Sequence, residues 1–179
     1  MKGWKQIFQA NGQEKKAKGA ILISDKIDFQ RRAIKRDPEG HFIILKGRIS
    51  QEDINIVNIY APNIGAPKYM KKILEDFKKH IDSNTIIVED FNTPMVKLAR
   101  SSKQNIKKDI VSLNNTLDEM DLTNIYIERA LHPKEAKYTF FSCVHGTFSK
   151  TDQMIGHKVS LNKFIKIEII SSISLTTRD

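Results

Sequence analysis

The sequence predicts an α/β domain whose sheets pack face to face with helices outside them. Three observations lead there. Short strand-like runs outnumber helical ones, the two helical stripes are separated by strands, and one run is apolar on both parities, as a strand covered on both faces requires. The chain has 179 residues, 40% of them hydrophobic and 28% charged, which is ordinary for a globular protein. A chain of this length can bury roughly 70% of its unfolded surface, enough for a core without staples. Residues 1–179 are therefore read as a single domain, with its core over 17–170 and a divergent tail over 171–179.

Taken in order, Met1-Lys-Gly-Trp4 runs straight into Ile7 and Phe8, and Trp4 and Phe8 need a surface to bury against. Asn11-Gly12 signals a turn. Ala17 to Ser24 reads as a strand, and Phe29 to Arg36 as a weaker one closed by the turn Asp37-Pro38-Glu39-Gly40. His41 to Ile49 and Ile54 to Tyr60 form an antiparallel hairpin; the second strand carries apolar groups on both parities. Pro67 opens a helix whose stripe is Met70, Ile73, Leu74, Phe77 and Ile81. Thr85 to Val88 is a short strand, followed by a loop with Asn92, Thr93 and Pro94. A second helix spans about Asn105 to Met120, with Ile106, Ile110, Leu113, Leu117 and Met120 on one face. Tyr138 to Ser142, Thr151 to Ile155 and Phe164 to Ile170 complete the strands.

The longest uninterrupted apolar runs are four residues, Ala20 to Ile23 and Phe42 to Leu45. They exclude a transmembrane helix and the apolar stretch of a signal peptide, so no membrane partner is expected. One cysteine, Cys143, excludes an internal disulfide framework and a thiolate zinc cluster and is read as structural. The expected compartment is intracellular, nuclear or cytoplasmic. His41, His80, His132, His145 and His157 show no metal-ligand spacing. No glycine-rich phosphate loop is present. The net charge of +9 is uneven: residues 1–36 hold ten Lys/Arg and three Asp/Glu. A basic end carrying Arg31, Arg32, Lys35 and Arg36 suits a polyanion such as nucleic acid, and a solvated basic surface accounts for the same numbers.

The most informative stretch is Ile86-Ile-Val-Glu-Asp-Phe-Asn-Thr-Pro94. A buried strand delivers Asp90 and Asn92 to its carboxyl end. The first can act as a base or metal-sphere carboxylate, the second as an amide donor to a phosphate. Taken alone the stretch reads first as a turn, since Asp and Asn are common where strands stop. Asn58-Ile-Tyr-Ala-Pro-Asn63 repeats the pattern with Tyr60, whose hydroxyl can donate to a phosphate oxygen; the plainer reading is a core tyrosine before a Pro turn. Asp152 in Ser149-Lys-Thr-Asp152 alone looks like a strand-edge aspartate.

Together these stretches resemble the endonuclease domain of LINE-type non-LTR retrotransposons. Asp37-Pro-Glu-Gly-His41, Asn58 to Asn63, Asn63-Ile-Gly-Ala-Pro67, Asp90-Phe-Asn-Thr-Pro94, Tyr138-Thr-Phe-Phe141, Gly146 to Ser149, Ser149 to Asp152 and Gly156-His-Lys158 carry the resemblance, in that order. It implies the endonuclease/exonuclease/phosphatase superfamily and a four-layer α/β sandwich. It also implies metal-dependent nicking of DNA, which exposes a 3′-hydroxyl to prime reverse transcription. By the resemblance, Asp90 activates or orients the attacking water. Asn92 holds the scissile phosphate, Tyr60 contacts it, and Asp152 orients a catalytic histidine. Thr139 and Ser149 match the DNA-facing rim. The cofactor implied is Mg²⁺ and the partner is DNA, bound weakly and without sequence preference.

The departures shape the expectation. The family's strand with an active-site Asn and its strand with the metal-binding Glu do not precede Met1, so no metal ligand of that kind is assigned here. The closing Asp-His pair is replaced by Ser171 to Asp179, Glu89 stands where the family has Gly, and Gln153 stands where it has His. The 127–130 connection is longer than usual. The expectation is therefore an incomplete sandwich, truncated at both ends and inactive as a nickase. The alternative is a non-catalytic basic nucleic-acid-binding remnant, or a retrotransposon fossil without function.

Overall fold

The computed structural model describes residues 4–11, 17–62, 64–90, 108–125, 140–142, 147–149 and 152–163. Its centre is a sheet built from β3 (Phe29–Arg36), β4 (Phe42–Ile49), β5 (Glu52–Tyr60), β6 (Thr85–Asp90), β7 (Leu122–Asn124) and β10 (Asp152–His157). The spatial order is β3-β4-β5-β6-β10-β7. Two further pairs stand apart from it: β1 (Trp4–Asn11) with β2 (Ala17–Ser24), and β8 (Phe140–Ser142) with β9 (Thr147–Ser149).

All pairings in the central sheet are antiparallel except β5 with β6. A parallel pair needs a crossover, which helix α1 (Ala66–Phe77) supplies. Gly65 enters that helix in the left-handed region, φ 77°, and Pro67 occupies the first turn, where its missing N–H costs nothing. Met70, Ile73 and Leu74 are buried on the predicted stripe, and Phe77 packs partly buried beside them. The helix ends at Phe77; Lys78–His80 form a 3₁₀ turn, and Ile81 joins the core from extended backbone. Helix α2 (Lys108–Glu119) buries Ile110, Leu113 and Leu117.

The two faces of the sheet carry two separate cores. One face presents Ile44, Val57, Ile59, Ile87, Leu122 and Ile155 to α1 and α2. The other presents Ile43 and Leu45 to Phe8, Ala10, Ile21 and Ile23 of the β1–β2 pair, with Phe29 edge-on to Phe8 at 6.4 Å between ring centres. The described residues thus form three layers: helices, central sheet, second sheet. The α/β sandwich expected from the sequence is present in incomplete form.

Several expected elements shift. Trp4–Asn11 is a strand, which the sequence does not announce, and its Phe8 is buried against β2 and the central sheet. The strand expected to stop at Val88 continues to Asp90, and the strand expected to stop at Ile155 continues to His157. β7 and β9 are three-residue strands too short to show a period. The expected strand Phe164 to Ile170 and the Asn92 loop lie outside the described residues.

Two substitutions test this packing. Leu74 is fully buried between sheet and helices, so Leu74→Ala is expected to cost about 2–5 kcal/mol in urea unfolding. Gly47 faces Phe29 so closely that an added Cβ would lie 2.3 Å from its ring and 2.8 Å from the Gln30 carbonyl. Gly47→Val is expected to lower stability by about 1–3 kcal/mol, measured the same way.

Candidate active site

The site begins with strand register. Tyr60 is the last residue of β5, Asp90 the last of β6 and Asp152 the first of β10. Tyr60 pairs with Asp90 across the parallel ladder, and Asp90 pairs with Asp152 across the antiparallel one. Three residues that the sequence separates by 30 and 62 positions therefore stand abreast at one end of the sheet. Partners abreast on neighbouring strands share a face of the pleat. One pleat step back on that face is the row Arg36, Ile43, Asn58, Val88 and Met154. Ile43 in that row belongs to the core beneath the β1–β2 pair, so Tyr60 stands on the face of its strand that carries the second sheet. β2 approaches the same face closely: a Cβ on Gly19 would lie 2.1 Å from Asn58 Oδ1.

The row immediately behind is Ile59, Glu89 and Gln153, on the helix-covered face. All three are buried, Glu89 at 2% exposure and Gln153 at 3%. Gln153 Oε1 accepts a hydrogen bond from Asn124 Nδ2 of β7. The two internal positions noted as departures, Glu89 and Gln153, are thus direct cross-strand partners behind Asp90 and Asp152. Sequence separation hides this, because only long-range register brings them together.

Tyr60 is half-buried, and its backbone N–H donates to the His41 carbonyl at 2.7 Å. His41 follows the Asp37–Gly40 turn, whose Gly40 adopts φ 77°. Its ring packs edge-on to Tyr69 of α1 at 6.0 Å. The Tyr69 phenol is held above its ordinary range by burial first, then by the negative charges of Asp37 and Glu39.

Of the other expected site residues, Asn92 and Thr139 lie outside the described residues. Ser149 ends β9, opposite Phe140. The basic quartet is described and does not gather in one place. Arg32 pairs with Asp53 at 3.2 Å, where Arg48 also binds. Arg31 stands abreast of Gly47, at the opposite end of the sheet from Tyr60. Lys35 Nζ lies 5.3 Å above the Phe77 ring. Arg36 Nε donates to the Gln9 carbonyl of β1 at 3.0 Å. A register irregularity between Arg31 and Ala33 helps to separate them. Only Arg36 shares the face and the sheet end of the Tyr60 row.

A constellation that the sequence reading passes over is Asp37, Glu39 and His41, whose ligand atoms all lie within 4.8 Å of one another. Spacing rules built on His and Cys overlook it. The signal available is the alternation of three ligand-type residues around one tight turn.

No family model matches the sequence. Among the solved structures that share the architecture are these three. The endonuclease domain of TRAS1, a telomere-specific non-LTR retrotransposon, matches with TM-score 0.64 and 18% identity over 88% of this chain and 68% of its own. The AP endonuclease LMAP from Leishmania major matches with TM-score 0.61 and 14% identity over 90% of this chain and 64% of its own. D. rerio TDP2, complexed with a single-strand DNA product, matches with TM-score 0.59 and 8% identity over 86% of this chain and 63% of its own. This chain spans less than two thirds of the latter two. At these identities the likeness is one of fold, an α/β sandwich that this chain shares with these three proteins and with an endonuclease/exonuclease/phosphatase family protein from Bacteroides thetaiotaomicron.

Proposed function

We propose that this chain is a nuclease-like domain of the LINE retrotransposon type that holds the phosphodiester backbone of DNA at the Tyr60 end of its sheet. The observation that carries the reading is the row Tyr60, Asp90 and Asp152, abreast on three neighbouring strands. A phenol and two carboxylates at one sheet end supply a donor to a phosphate oxygen and oxygen acceptors for a water or cation. Asn92, two residues beyond Asp90, is assigned the amide contact to the same phosphate, and Asp152 the carboxylate that orients a proton-carrying partner. Thr139 and Ser149 are assigned to the rim that DNA crosses. The fold likeness, which includes a structure holding a DNA product, supports the reading.

The donor set fits a hard cation in part. Asp90 and Asp152 are oxygen donors of the kind Mg²⁺ takes, and Mg²⁺ would neutralise charge on a bound phosphate. Mg²⁺ wants near-octahedral oxygen coordination, and two carboxylates leave most positions to water and substrate. Binding without efficient hydrolysis is the outcome these residues favour.

The test is a fluorescence-anisotropy titration with duplex DNA at several salt concentrations, run beside a plasmid-nicking assay in Mg²⁺. The expected dissociation constant is on the order of 10⁻⁴–10⁻⁶ M at physiological salt, weakening steeply as salt rises. Replacing Arg31, Arg32, Lys35 and Arg36 together is expected to weaken binding and flatten the salt slope. Because Arg36 stands at the sheet end of the row and Arg31 at the opposite end, Arg36→Gln is expected to account for more of that loss than Arg31→Gln. Salt-insensitive binding, or an unchanged quadruple variant, would favour the fossil reading. Nicking is expected to stay at background. Robust nicking that Asp90→Asn abolishes would show a competent catalytic site instead.

A further inference from the structure

The Asp37–His41 turn brings together a ligand set of a different chemical kind from the carboxylates of the sheet end. His41 Nδ1 lies 3.4 Å from Asp37 Oδ2 and 3.4 Å from Glu39 Oε2. An N–H···O hydrogen bond usually spans about 2.7–3.2 Å, so both contacts are long for one. Ligand atoms held about 2.1 Å from a cation at tetrahedral angles stand roughly 3.4 Å apart, which is the spacing from His41 Nδ1 to each carboxylate, and all three ligand atoms lie within 4.8 Å of one another. Two of the three ligands are set in advance. Asp37 Oδ2 accepts the His41 backbone N–H at 3.0 Å, and the Gly40 N–H donates to the Asp37 carbonyl at 3.0 Å. The imidazole is braced by the Tyr69 ring, and the side chains of Asp37 and His41 are only 19% and 25% exposed. Glu39, 76% exposed, supplies the third ligand from the solvent side.

We propose that Asp37, Glu39 and His41 form a binding site for a divalent cation of the Zn²⁺ class, with water in the fourth position. The imidazole sets the class: a nitrogen donor beside two carboxylates suits Zn²⁺ or Co²⁺, whereas Mg²⁺ takes oxygen. The site is separate from the Tyr60 row and does not depend on DNA being the partner. It is joined to that row through one backbone contact, the Tyr60 N–H on the His41 carbonyl. A cation there would clamp the β3–β4 turn at the sheet end where Tyr60 stands. The rival account is a protonated His41 paired with two carboxylates and binding no metal.

The experiment is a calorimetric titration of the tag-free chain with Zn²⁺, paired with visible absorption on adding Co²⁺. One equivalent is expected to bind, with the intense visible bands of tetrahedral Co²⁺. His41→Gln and Glu39→Gln are each expected to weaken binding at least tenfold, and His80→Gln to leave it unchanged. Glu39 is exposed, so its variant decides the matter should His41→Gln fail to fold. No binding up to millimolar Zn²⁺ would overturn the proposal. So would binding that Glu39→Gln leaves intact, or binding lost only in Asp90→Asn, which would place the cation at the sheet end.

Discussion

The parallel pairing of β5 with β6 is the constraint on which the rest of the structure depends. Parallel neighbours cannot be joined by a tight turn, so the chain must leave the sheet, build α1 and return. That crossover covers one face of both strands. The other face needs its own cover, and β1–β2 provides it at the β4–β5 half. The same pairing fixes which end of the sheet gathers carboxyl termini. Tyr60 and Asp90 both finish strands running the same way, so they finish side by side. A one-residue slip would exchange Asp90 for Glu89 on that face, and would bring a residue from the helix-covered core into the row.

How much of this could be read in the residues depends on the range of the forces involved. The strands Ala17–Ser24 and Phe29–Arg36 and the hairpin after them are announced by local turn chemistry and pattern, and they appear nearly as expected. The both-parity pattern of β5 marks a strand between two cores, because each parity must find its own apolar partner. The end of β6 is another matter. Glu89 and Asp90 are poor strand formers, and a local reading stops before them. Pairing with β5 on one side and β10 on the other carries the strand through both. β7 has no local signal at all and exists because β10 offers it an edge. The row of Tyr60, Asp90 and Asp152 is likewise a product of register between distant segments. Its members stand out individually as strand-end polar residues, while their convergence needs the sheet.

The basic residues of β3 show a second kind of limit. A charge count sees four cations within six residues and treats them as one surface. The strand distributes them by pleat and by the irregularity after Arg31, and the neighbours then engage them: Asp53 takes Arg32, Phe77 faces Lys35, and the β1 backbone takes Arg36. Such residues also guard the edge that β3 forms among the described strands, because a charged edge strand discourages pairing with another chain. One stretch can serve both needs, since edge protection asks only for charge while phosphate contact asks for charge in a particular place.

The position of β10 has a consequence for how the chain comes to be folded. This strand is among the last described segments in sequence, yet it is inserted between β6 and β7 rather than added at the rim. During synthesis, β3 to β6 can assemble early, while β6 waits with one side open. β7 emerges before the strand it pairs with. Closure of the sheet therefore depends on contacts of long sequence separation, the kind that form slowly because loop entropy must be overcome before they reward the chain. Until residues 152–157 arrive, the nascent domain presents the bare flank of β6 to chaperones and to other unfinished chains.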